Sequence, residues 1–153
     1  MSDARAGSRP YASLFGAEDL MSKKKDYGIR RKVAMPYDQA VARTKEALQE
    51  QGFGVLSEID LKEKLKEKLN VDFKRYVILG ACNPPLAYKA LQAEPEIGLL
   101  LPCNVIVYEL DGQSSMVAAI DPNTMVDIVG SSPVMEEVAR DARERLEKAI
   151  ARV

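Results

Sequence analysis

Two cysteines, each followed by an asparagine, carry most of the chemistry this chain can offer: Cys82-Asn83-Pro84 and Cys103-Asn104-Val105. They are its only thiols, and each falls where an apolar run meets a loop or a helix start. Such a pair has three uses. A redox dithiol is the first, but thioredoxin-like proteins place two residues between their cysteines, and here twenty intervene. The second is a seat for a metal. Two thiolates do not close a tetrahedral zinc site, and the chain has no histidine to complete one. A soft monovalent metal on Cys82 and Cys103, or on four thiolates across a dimer, remains open. The third is a single nucleophile. Cys82 precedes Asn83-Pro84, a cap and first residue of a helix, and a thiol at a helix's positive end has a lowered pKa. Pro84 and Pro85 both lack an N–H, which weakens that effect.

A plainer reading stands beside these, since small apolar residues at strand ends are commonly buried for packing alone. The asparagines divide in the same way. Asn83 suits a helix cap, and Asn104 suits loop backbone groups beside Pro102. Alternatively, the two amides orient a ligand near the thiols. Asp60, Glu109 and Asp121 are the carboxylates nearest the strand ends, and no spacing pairs two of them for acid–base work. The candidate ligand site is therefore Cys82, Asn83, Cys103 and Asn104, with Cys82 and Cys103 as candidate metal ligands. Two functions follow. One is a small binding module holding a small molecule or soft metal; the other is a thiol-redox or cysteine-nucleophile enzyme using Cys82 with Cys103 as partner. No pattern names a cofactor.

Composition narrows the field. The absence of histidine removes Ser-His and Cys-His nucleophile pairs and imidazole bases. A net charge of −1, with three Phe and six Tyr, argues against a nucleic-acid partner. No apolar run approaches the ~18 residues of a membrane span, and no signal-peptide core is visible. The expected location is the cytoplasm, with both thiols reduced. At 153 residues the chain is expected to form one domain. Residues 1–25 read as a flexible amino-terminal tail, in which Tyr11, Leu14, Phe15, Leu20 and Met21 could dock, and residues 26–153 as the α+β domain.

Alternation of Tyr27, Ile29, Val33 and Met35 predicts a first strand. Pro36 opens a helix that Gly52 ends. Phe53 to Ile59 is a second strand, and Asp60 with Glu63 forms a capping box for a helix over 61–69. Its lysines alternate with glutamates and read as a solvated face. Arg75 to Ala81 predicts a third strand, residues 84–93 a helix, and Leu99 to Leu110 a fourth strand. Asp111-Gly112 signals a tight turn into a fifth strand, Ser115 to Ile120. Asp121-Pro122 reads as a turn. Ser132-Pro133 begins a last helix with Met135, Val138, Ala139, Ala142, Leu146 and Ile150 on its buried stripe. The order β-α-β-α-β-α-β-β-α, with its hairpin, predicts an α+β fold with a five-stranded, largely antiparallel sheet. Strands three and four are apolar on both faces, so the face away from the first and last helices needs cover from the middle helices or a second subunit.

From Pro36 onward the segments Gly52-Phe53-Gly54-Val55, Leu79 to Ala87, Glu96 to Val105 and Ala118 to Pro122 resemble the domain-of-unknown-function family 302. The resemblance implies packed helices on a curved antiparallel sheet, similar to half of the TATA-binding protein, and a homodimer. It carries no activity with it.

Overall fold

A computed structural model describes residues 26–153, and the expectation for residues 1–25 lies outside them. Five strands, β1 (Gly28–Val33), β2 (Gly54–Asp60), β3 (Tyr76–Cys82), β4 (Cys103–Asp111) and β5 (Ser114–Ile120), form one sheet in the order β1-β5-β4-β3-β2. Every pairing is antiparallel.

Helix α1 (Tyr37–Glu50) follows β1, and Gly52 at φ 84° turns the chain out of it, a conformation glycine adopts without strain. Helix α2 (Leu61–Leu69) is capped as its sequence requires: the Asp60 carboxylate accepts the Glu63 N–H at 2.9 Å. It rests on β2 and β3 with no residue fully buried. Helix α3 (Pro84–Ala93) is capped by Asn83, whose Oδ1 accepts the Leu86 N–H at 3.3 Å. The longest helix, α5 (Pro133–Ala151), is capped by Ser132 and buries all six residues of its expected stripe, with Ala149 besides.

Helices α1 and α5 cover one face of the sheet. Leu48 and Leu146 meet Val77, Leu79, Val105, Val107 and Val117 there, all essentially without solvent contact. Each fully buried Leu or Val contributes about 1.5–3 kcal/mol relative to exposure. Arg31 ties β1 to this layer by donating to the carbonyls of Ile150 and Ala151 at the end of α5. A second cluster extends the core beyond the sheet's end, where Leu86, Ala90 and Ile97 pack on Met125, Met135, Val138 and Ala142.

Two expectations are corrected, and a third holds in its own way. Leu99 to Leu101 do not belong to β4: residues Pro95–Leu100 form a 3-10 helix, and the strand starts at Cys103. Pro95 starts this turn, and Pro102 lacks the N–H that a ladder would use. Asn123–Val129 form a short helix, α4, where only a turn was expected. The Asp121 carboxylate sets it going by accepting the Asn123 N–H at 2.9 Å. The hairpin after β4 forms, yet Gly112 keeps a negative-φ backbone; the Asp111 carboxylate instead accepts the Gln113 N–H at 2.8 Å, beside a bulge at Glu109/Asp111.

Helix α3 packs on α5 and the 3-10 segment, so it adds to the covered side. The opposite face presents half-buried Tyr76, Ile78, Ile106, Tyr108, Met116, Ala118 and Ile120, which register and alternation place together.

Candidate apolar cleft at the sheet end

Strand pairing brings the two cysteine segments to one end of the sheet. Ala81 pairs with Cys103 and Gly80 with Asn104. Alternation then separates them: Cys103 joins Val105 and Val107 on the helix-covered face, while Cys82 follows Ile78 and Gly80 onto the other. Both thiols are free. No group of three metal-ligating side chains occurs among the described residues.

Cys82, Asn83 and Cys103 border one narrow hollow, walled by Phe53, Leu86, Leu101, Met125 and Val138. Its volume is about 30 Å³, enough for a water or two and no larger guest. Asn83 is buried and spent on the cap of α3. Asn104 is exposed and faces away from this hollow.

A larger cleft lies on the other side of the same wall. Leu101, Pro102, Cys103 and Met125 are common to both spaces. The cleft runs between the 3-10 segment and α4 and encloses about 490 Å³, within the roughly 300–1,000 Å³ typical of small-molecule sites. Leu99, Leu100, Ile120 and Ile128 supply most of its remaining lining, with Tyr27, Asn104 and Thr124 as polar groups. At its rim Leu99 is 84% exposed and Ile128 68%. Sequence reasoning found Cys103 and Asn104 but missed Leu99, Thr124, Met125 and Ile128. The run Leu99-Leu100-Leu101 reads as part of a strand, and the seven residues of α4 are too few to announce a helix.

Burial pushes the Cys103 thiol up from 9.0 to about 11, and a charge on nearby Cys82 would push it the same way. A thiol so placed stays protonated near neutral pH, which disfavours it as nucleophile or as metal thiolate. Asp121 is committed to an ion pair with Arg143, and Asp60 to its cap. The arrangement is thus equipped to hold an apolar group beside a neutral thiol and an amide.

The model of the family described as domain of unknown function DUF302 matches residues 29–153. The chain belongs to the DUF302 family. A DUF302 fold has been seen before in the crystal structure of an uncharacterized conserved protein DUF302 from Bacillus stearothermophilus. It is 31% identical and superposes with a TM-score of 0.75 over 84% of this chain and 98% of that one. No curated protein matches. Among the described residues of this DUF302 protein, no helix is long and apolar enough to cross a membrane.

Proposed function

We propose that the chain is a small, single-domain cytoplasmic binding module whose ligand is a small, largely apolar molecule held in the cleft beside Cys103 and Asn104. The observation that carries this reading is the cleft itself: about 490 Å³ of mostly aliphatic lining, with two large aliphatic side chains left in solvent at its mouth. Exposed Leu and Ile cost little singly, but side chains grouped on a concave rim fit a site that is completed by its guest. Cys103 serves as neutral wall, Asn104 and Thr124 as the polar groups that fix orientation. Asn83 and Cys82 support the wall from behind. Burial of Cys103 disfavours it as the redox partner of Cys82.

Titration with decanol, followed by amide chemical shifts, tests the proposal. Shifts should cluster on residues 99–104 and 120–128 and saturate. Leu99→Asp with Ile128→Asp, both exposed, should leave the spectrum folded and weaken binding at least tenfold. Scattered, non-saturating shifts would refute it.

A second copy of the chain is the partner we propose for the open sheet face while no ligand lies on it. Seven half-buried apolar or aromatic side chains lie there on three adjacent strands, and a two-fold axis would place that patch against itself. Sedimentation at micromolar concentration showing only a species of ~17 kDa would exclude it.

A further inference from the structure

The apolar cleft does not end at Asn104. Tyr27, Asn104 and Ile120 line both it and a second, open groove that continues across the exposed sheet face. This groove has a different character. Arg30 and Lys74 stand along it, and no carboxylate is among its lining residues. Lys74 holds its ammonium 4.8 Å from the Tyr108 ring centre, against which Tyr76 stacks at 5.4 Å. Arg30 pairs with Asp26 at 2.9 Å, and both side chains are substantially exposed. Such a pair is worth little and yields readily to a competing anion.

The distances join the two spaces. Arg30 sits opposite Ala118, two residues along β5 from Ile120 at the cleft's edge, a step of about 7 Å. Tyr108, under Lys74, is four residues along β4 from Asn104, about 14 Å away. One elongated molecule can therefore lie with an apolar end between Leu99 and Ile128 and a charged end on the sheet face.

We infer that the ligand is an amphipathic anion, a single alkyl chain ending in a carboxylate, whose chain fills the cleft and whose head group meets Arg30, with Lys74 further along the groove adding to the positive field. This rests on the cleft reading above and adds the head group. An uncharged apolar guest would use the cleft alone and leave the cations idle. An anion without a chain would find two exposed, well-hydrated cations and little else.

The test compares decanoate with decanol, both below their micelle concentrations, on the full chain by calorimetry. Decanoate should bind at least tenfold more tightly, and its advantage should shrink as salt is raised, since exposed charges are screened. In the double variant Arg30→Gln, Lys74→Gln the two affinities should converge, with decanol binding unchanged and so reporting an intact fold. Equal affinities in the unaltered protein, an advantage that survives the double variant, or equal loss of both ligands would overturn the head-group assignment and leave the cleft standing. Failure of both ligands to bind would remove the cleft reading and this inference with it. Binding of decanoate only when it is carried in phosphatidylcholine vesicles would also overturn the inference, by pointing to a membrane surface in place of a free amphiphile.

Discussion

Replacing Cys103 with alanine should flatten the protein's loss of stability in alkali, and the size of the effect follows from the thiol's burial. Cys103 keeps about 8% of its surface and ionises near 11 in place of 9.0. The folded state therefore holds its proton in a range where the unfolded chain has released it. Fewer protons on the unfolded state mean that stability falls as pH rises. The loss begins as pH passes 9, the unfolded value, and is complete above 11. At pH 10 it amounts to about 1.4 kcal/mol, and at full development to about 2.7 kcal/mol, from ~1.36 kcal/mol per pH unit. Below pH 8 the term is nearly nil. Urea unfolding of both proteins at intervals from pH 7 to 10.5 isolates it, because the remaining groups titrate in both. The two curves should keep a constant separation to about pH 8.5 and then converge by roughly 1–2 kcal/mol. Thiol labelling supplies a second reading: in Cys82→Ser, Cys103 at pH 8 should be about 0.1% thiolate against ~9% for an unburied thiol, so alkylation should be slowed about 100-fold. Parallel stability curves, or rapid labelling of Cys103 at pH 8, would show that the thiol is not desolvated and would reopen its reading as the partner of a nucleophilic Cys82.

Other substitutions probe the frame around the site. Leu146→Ala empties a fully buried position between α5 and the sheet, and chemical denaturation should show a loss of about 2–5 kcal/mol. Gly80→Ala places a Cβ 2.8 Å from the Pro102 ring and against the Ser57 side chain. About 1–3 kcal/mol of destabilisation is expected, and an unchanged midpoint would mean that Pro102 yields freely. Asn83→Ala removes the cap of α3 and should cost about 1 kcal/mol, while Asn83→Asp recovers most of it. Decanol affinity should be the same in both variants, because Asn83 is absent from the cleft's lining.

Local signals with a single physical meaning were legible in the sequence. Asp60, Asn83 and Ser132 each cap the helix that their spacing announced. The stripe from Met135 to Ile150 repeats at helical period and is buried as such. What escaped depends on tertiary contacts. Leu99-Leu100-Leu101 has no periodicity, so an apolar run before a strand looked like part of it. Helix α4 has seven residues, too few for a periodic pattern, and is held by Asp121 and by Met125 in the second core cluster. Antiparallel pairing of β3 with β4 follows from the predicted sheet and brings the end of one strand, at Cys82, beside the start of the other, at Cys103. Alternation then divides the second pair: Cys103 turns inward with Val105 and Val107, and Asn104 outward with Ile106.

The place of β1 bears on how the chain is made. This strand, the first among the described residues, lies against β5, with Gly28 beside Ile120. During synthesis β1 must wait, its neighbour absent, while the 80 residues between Val33 and Ser114 are added. Meanwhile β2 to β5 can pair in succession, each with the strand next to it in the chain. Closing so long a loop is entropically costly, and contacts of this span slow folding. The charged run Arg30-Arg31-Lys32 suits the delay, since a waiting strand with three cations resists pairing with another nascent chain. Formation of the β1–β5 ladder is then the step that commits the chain to its finished sheet.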